Sequence, residues 1–349
     1  MKKKIAEYCG AKYAVAVNSA TSALHIACLS LGLGSKDILW TSPITFVASA
    51  NVGLYCGAKV DFVDIDSATA NISIPSLREK LRWAKKNGCL PKVLVAVHMG
   101  GQSCDMQSIS LLSERYGFKV IEDASHAIGG KYLSLRIGSC RYSDITIFSF
   151  HPVKIITTAE GGMALTNDPE LAHKMNLLRS HGITRDPKYM TAPSEGGWAY
   201  QQIELGFNYR MTDLQAALGI SQLNRLDEYV EIRNKLASTY NSLLVDLPVA
   251  VPTYHPDCYS SFHLYVVRVL DKSKRKFIFD FLVSNGIGVN VHYFPVHLQP
   301  YYLNLGFKRG DFPEAEKYYS EALTLPLFPG LSDLEQMRIV STLRLALNG

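Results

Sequence analysis

The sequence predicts an α/β protein built on a mostly parallel sheet, with a smaller α+β part towards its C-terminal end. Three observations lead there. Short apolar, β-type runs alternate with helical stretches up to about residue 225. Loops dense in Gly, Ser, Thr and Pro follow several of those runs. Beyond Pro248 and Pro252 the alternation gives way to a shorter set of strands and helices.

Taken in order, the first runs are Tyr13–Val17, 59–65, 92–97, 118–122 and 144–150. A helical pattern extends over 213–247 until the two prolines break it, and strands are then expected at 265–270 and 288–292. The expected division is a large domain over 1–228 and a small one over 229–349. In sheets of this kind ligands sit beyond the carboxyl ends of the strands. Chemistry is therefore sought just after each run.

Composition narrows the classes. The chain has 349 residues, 47% of them hydrophobic and 19% charged, enough apolar content for sizeable cores. Lys+Arg 36 against Asp+Glu 31 leaves +5, a surplus too small for a nucleic-acid-binding face. No apolar run approaches the roughly 20 residues that span a bilayer. The seven cysteines at 9, 28, 56, 89, 104, 140 and 258 contain no C-x-x-C pair. Reduced thiols in a cytoplasm fit that spacing. The basic start Met1-Lys2-Lys3-Lys4 is followed by Glu7 and by Asn18, Ser19, Thr21 and Ser22, so a secretion signal is not expected.

Three segments carry chemistry. Asn18-Ser19-Ala20-Thr21-Ser22 follows the strand Tyr13–Val17 and opens a helix; its free N–H groups and hydroxyls suit a phosphate, or simply cap the helix. Asp123, at the end of the run 118–122, could meet a metal, a ribose or a protonated ring nitrogen, or be a plain loop acid. Lys154 follows the run 144–150 and precedes the turn Gly161-Gly162. Partly withdrawn from water, it would be a usable amine nucleophile; otherwise it is a surface lysine. Phosphate anchor, carboxylate and amine in that chain order are what pyridoxal 5′-phosphate requires.

The segments 18–24 (NSATSAL), 41–51 (TSPITFVASAN), 122–127 (EDASHA), 149–162 (SFHPVKIITTAEGG), 179–182 (RSHG) and 206–211 (GFNYRM) resemble the DegT/StrS-type sugar-nucleotide aminotransferases over nearly the whole chain. The resemblance implies a type I pyridoxal-phosphate fold: a large domain with a mixed, mostly parallel seven-stranded sheet, a small α+β C-terminal domain, and a homodimer with shared sites. It implies Lys154 as the Schiff-base lysine and Asp123 as the partner of the pyridine nitrogen. Phe46 would stack on the ring. Ala20, Thr21 and Ser149 would bind the phosphate. His126 would lie near the ring's phenolic oxygen or the substrate, and Asn208 would reach the phosphate of the other subunit. Ser19, His292 and Tyr293 would face the sugar nucleotide. The implied reaction carries the amino group of L-glutamate to C4 of a UDP-linked 4-keto-6-deoxy sugar; another nucleotide-linked ketosugar, aminated at C3 or C4, is the alternative.

Several of these residues have plainer readings. Phe46 could be core, Asn208 and Arg210 could cap a loop, and His292 could be a satisfied core histidine. His181 is expected to be structural, 272–276 a solvated helix start, and Tyr301-Tyr302 packing residues. Family members usually begin some tens of residues earlier, so an opening helix and a loop touching the sugar nucleotide are expected to be missing here. Three rival functions are weighed: a sugar dehydratase with the same cofactor, whose branch carries histidine where Lys154 stands; a cofactor-binding protein without turnover; and a nucleotide-dependent dehydrogenase, for which no G-x-G-x-x-G follows the first strand.

Overall fold

Seven apolar segments pair into one sheet in the computed structural model, which describes residues 1–348. They are β1 (Tyr13–Val17), β2 (Ile38–Thr41), β3 (Lys59–Phe62), β4 (Val93–Val97), β5 (Lys119–Asp123), β6 (Ile145–Ser149) and β7 (Gly162–Thr166). Their order is β1-β7-β6-β5-β4-β2-β3. Neighbours from β6 to β3 run parallel, whereas β7 is antiparallel to both β1 and β6. The sheet is thus mixed and mostly parallel, as the resemblance implied. Every residue of β4, β6 and β7 is buried. A strand covered on both faces reads as a continuous apolar run, which is why β4 and β6 were legible. The strand β7 opens on glycine and reads as a turn; its pairing with β1 and β6 is what makes it a strand.

Helices cover the sheet. The first, α1 (Lys2–Cys9), ends on Gly10 at φ 79°, a left-handed cap that glycine adopts without strain. It buries Ile5, Ala6 and Cys9. Next, α2 (Ala20–Ser30) buries Leu24, Ile26, Ala27 and Cys28 and packs on α3 (Ala48–Tyr55). Because all strands but β7 share one direction, the ends of β1, β2, β4, β5 and β6 lie along one edge. The loops there carry Asn18–Thr21, Thr45–Phe46, Asp123–His126 and 150–161.

The helical pattern at 213–247 resolves into two helices, Asp213–Leu223 and Leu226–Leu243, separated at Asn224-Arg225. The first buries only Gly219; the second buries Leu226, Val230, Leu236, Ala237 and Tyr240. Along it, Leu226 and Val230 join the core beneath the main sheet, and Leu236, Ala237 and Tyr240 join a second core. That second core surrounds an antiparallel sheet of Val249–Ala250, Tyr265–Val269 and Ala322–Leu325. Helices Arg275–Ser284 and Asp333–Asn348 close it. Between them, Val296, Tyr302, Phe312, Ala315 and Tyr318 return to the core of the main sheet. The strand expected at 288–292 is reduced to one bridge, Asn290 with Thr324. Among the described residues, no helix is long and apolar enough to cross a membrane.

Candidate active site

Asp123 is the last residue of β5, and its buried carboxylate is fixed by hydroxyls on both oxygens. Ser125 Oγ donates to Oδ1 at 2.6 Å and Ser49 Oγ to Oδ2 at 2.7 Å. Ser49 in turn lies 2.8 Å from the Thr45 hydroxyl. The preceding Glu122 faces the other side of the sheet, because successive strand residues alternate. It receives hydroxyls from Ser143 and Thr146, and its Oε2 lies 2.8 Å from His98 Nε2. The Cys104 N–H donates to His98 Nδ1, so the proton of His98 is on Nε2 and points at Glu122. Burial disfavours the Glu122 charge, but His98 and the two hydroxyls outweigh it and hold the carboxyl below its ordinary value. The strand that aims Asp123 is therefore pinned from behind.

Lys154 stands on an excursion between β6 and β7. The neck of that loop is closed by hydrogen bonds from Phe150 N–H to the Gly161 carbonyl and from Thr158 N–H to the Phe150 carbonyl, both 2.9 Å. Lys154 N–H donates to the His151 carbonyl within it. Burial lowers the ammonium to about 8, and the Asp123 carboxylate partly offsets the fall. An amine titrating there is about one-tenth unprotonated at pH 7, on the order of a hundred-fold more than an ordinary lysine. The rate at which the amine reacts with an added aldehyde should accordingly rise with pH through about 8. A pH–rate profile with its midpoint above 10 would contradict this placement.

The phosphate end is built by α2. Ser19 is its N-cap, accepting from the Ser22 N–H at 3.1 Å, so the plain capping role holds for this side chain. The N–H groups of Ala20 and Thr21 precede the first intrahelical bond and are left for a ligand. Gly162 makes room for this turn. A Cβ there would stand 2.4 Å from the Ser19 carbonyl carbon and oxygen and 2.6 Å from the Ala20 nitrogen. These are backbone atoms that cannot step aside without moving the helix start. Gly162→Ala should weaken cofactor retention at least tenfold and cost about 1–3 kcal/mol of stability. Cofactor titration and thermal unfolding check both; an unchanged affinity would show that the turn does not hold the phosphate.

Ser19, Ala20, Thr21, Phe46, Asp123, His126, Ser149, Lys154 and Tyr293 line one cavity of ≈ 340 Å³. Phe46 is 58% exposed and is not core; its ring centroid lies 6.4 Å from that of Tyr293. His126 Nε2 lies 3.1 Å from the Tyr293 hydroxyl. His292 does not line the cavity. Its Nδ1 is 2.8 Å from Thr324 Oγ1, and burial, then the Lys154 charge, push it down to about 4. Asn208 also lies outside the cavity, exposed on a segment paired with Ser180. His181 sits in a turn at φ 61°, away from the cavity. Ser49, Ser125, His151 and Glu160 belong to the surroundings of the site but were not singled out. Thr45 and Ser49 are four residues apart at a helix start, the one signal that could have found the hydroxyl behind Asp123.

The donor set fits pyridoxal 5′-phosphate. Free N–H groups cradled over Gly162, a carboxylate already fixed by two hydroxyls and a nucleophilic amine share one cavity with an exposed aromatic ring. The profile of the DegT/DnrJ/EryC1/StrS aminotransferase family matches residues 1–344. The UDP-4-amino-4,6-dideoxy-N-acetyl-beta-L-altrosamine transaminase of Campylobacter jejuni (strain 81-176) is 39% identical over 331 residues, covering 93% of this chain and 83% of that protein. PseC of Helicobacter pylori, an aminotransferase involved in pseudaminic acid biosynthesis, superposes with a TM-score of 0.89 at 30% identity, over 99% of this chain and 90% of that one. The PLP form of Spr1654 from Streptococcus pneumoniae gives 0.89 at 28% identity, over 99% and 90%.

Proposed function

We infer that this chain, which belongs to the DegT/DnrJ/EryC1/StrS aminotransferase family and is a pyridoxal-phosphate-dependent sugar aminotransferase, moves the amino group of L-glutamate to C4 of UDP-2-acetamido-2,6-dideoxy-β-L-arabino-hexos-4-ulose. The product would be a precursor of pseudaminic acid, made in the cytoplasm. The observation that carries the reading is the meeting of Lys154, Asp123 and the start of α2 on one cavity. The similarity to the Campylobacter and Helicobacter proteins supports the sugar and the nucleotide.

When bound, pyridoxal phosphate supplies an electron sink for the carbon that loses or gains a proton. The rest falls to the protein. The α2 N–H groups and Ser149 hold the phosphate. Asp123, kept in place by Ser49 and Ser125, receives the ring N–H and keeps that nitrogen charged. Phe46 and Tyr293 flank the cavity, and the exposed Phe46 ring would lie against the cofactor's ring. Lys154, with its lowered proton affinity, takes a proton from the donor's α-carbon and returns one at the sugar carbon. The exposed Asn208 would contribute to the phosphate site of a second copy in a homodimer. A decayed cofactor-binding protein is disfavoured, because amine, carboxylate and phosphate turn are all in place.

Purified protein, L-glutamate and the UDP-ketosugar should yield 2-oxoglutarate and a 4-amino sugar nucleotide by mass spectrometry. GDP- or dTDP-linked 4-ketosugars should turn over far more slowly. Equal turnover with all three nucleotides would overturn the assignment of the nucleotide while leaving the reaction class intact.

A further inference from the structure

Glu160 and His151 line the cavity and have no part in the chemistry assigned so far. Both stand on the excursion that carries Lys154, one before it and one after. His151 Nε2 lies 3.7 Å from Glu160 Oε1, and the two side chains are 49% and 57% exposed. The Val153 N–H donates to His151 Nδ1 at 3.4 Å, so the neutral ring carries its proton on Nε2 and turns it to Glu160. Among the described residues, His151 is the only side chain paired with that carboxylate. Asp123 differs, since hydroxyls take both of its oxygens.

The backbone beneath Glu160 is held in an unfavourable shape. Ala159 sits at φ 64°, a left-handed conformation that a residue with a Cβ adopts only against a steric cost. Hydrogen bonds on either side enforce it. The Ala159 N–H donates to Thr157 Oγ1 at 3.0 Å, the buried Thr158 hydroxyl to the Glu160 carbonyl at 2.7 Å, and the Phe150 N–H to the Gly161 carbonyl at 2.9 Å. Strain that its surroundings maintain beside a cavity points to a use for the side chain it aims. A carboxylate there, steadied at one oxygen and otherwise free to accept, suits a hydrogen-bond donor on an incoming molecule.

We propose that Glu160 accepts a hydrogen bond from an O–H or N–H on the ring of the ketosugar, and so separates the two substrates that occupy this cavity in turn. The proposal rests on the reading above for the reaction and the sugar, whose ring donors are the C3 hydroxyl and the acetamido N–H. That ring is neutral and offers donors to a carboxylate. L-Glutamate arrives with two carboxylates and a net negative charge, which a further carboxylate repels. Glu160 therefore favours the sugar's half-reaction and gives the amino donor nothing. A merely structural role looks different: Glu160 shares the excursion of Lys154, so a disturbed loop would impair both half-reactions alike.

The test is steady-state kinetics of Glu160→Gln and Glu160→Ala with each substrate varied, because kcat/KM for each substrate reports its own half-reaction. For the ketosugar, kcat/KM should fall about fivefold in Glu160→Gln, which keeps an acceptor without the charge. In Glu160→Ala it should fall about 10- to 100-fold, the size of a lost hydrogen bond to a charged group. For L-glutamate it should hold or rise in both variants. Calorimetry on the pyridoxal-phosphate-loaded protein without amino donor reads binding apart from turnover. There the ketosugar should bind Glu160→Ala about 10- to 100-fold more weakly, while its nucleoside diphosphate alone binds as to the wild type. Equal losses for both substrates, no loss for the sugar, or an equal weakening of the nucleoside diphosphate would each overturn the proposal. The sugar used is whichever nucleotide-linked 4-ketosugar the wild-type chain aminates, so an error in the nucleotide leaves the test intact. If the wild-type chain aminates none, the reading above fails and the proposal falls with it.

Discussion

Lys154→Ala is expected to lower transamination by about four orders of magnitude, the upper end of what a positioned acid–base group contributes. On the proposed reading, the variant loses both the covalent tether and the amine assigned to proton transfer. It keeps the start of α2, Asp123 and Phe46, so cofactor should still bind, though more weakly. The expected signature is a loaded protein with an altered spectrum and almost no product. A small primary amine in the buffer should restore part of the rate, since the space vacated by the side chain adjoins the cavity. Lys154→Arg, which retains the charge but no usable amine, should not recover. Amination at the wild-type rate in the alanine variant would remove Lys154 from the mechanism.

Asp123→Asn is expected to reduce kcat by about 10²–10³, the size of effect produced by removing one preorganised electrostatic partner. The substitution is nearly isosteric: one of the two serine hydroxyls can still donate to the amide oxygen, and the other can accept from the amide NH2. What it loses is the negative charge that, on the proposed reading, would keep the ring nitrogen protonated. A second readout separates this from misfolding. Asp123 raises the proton affinity of Lys154 against the larger effect of burial. With it gone, the pH midpoint for the Lys154 amine should fall below about 8. A variant that loses activity while that midpoint stays in place would mean the two groups do not interact as their placement requires.

Much of this site was legible because its residues lie at the ends of apolar runs. Tyr13–Val17 and β4 stand out by unbroken apolar character and β5 and β6 by short apolar β-type centres, and Ser19, Asp123, Ser149 and Lys154 follow or end these runs. Less legible was whatever depends on pairing or on packing over distance. The strand β7 begins Gly162-Met163, and nothing local distinguishes it from a turn. The break at Asn224-Arg225 reflects which core each half of a helical stretch must enter, and 288–292 forms one bridge rather than a strand. His292 shows the same limit: its neighbour Tyr293 reaches the cavity, whereas His292 bonds to Thr324, 32 residues further along.

By itself the sequence determined the alternation of strand and helix, the three chemical groups and their order along the chain. These are local properties: apolar runs, capping residues and turn glycines act over a few residues. Only the tertiary structure decided which groups meet. Asp123 is aimed by the Ser49 hydroxyl from α3 and by a histidine contact to Glu122 behind its strand. Lys154 acquires its chemistry from burial in a loop whose neck is tied between two strands. His263, far along the chain from His126, comes against it because a loop of the C-terminal region is tied by Ser261 and Arg233 over the edge of the main sheet. Desolvation and contact between distant segments have no local signature, so they appear only once the chain has closed on itself.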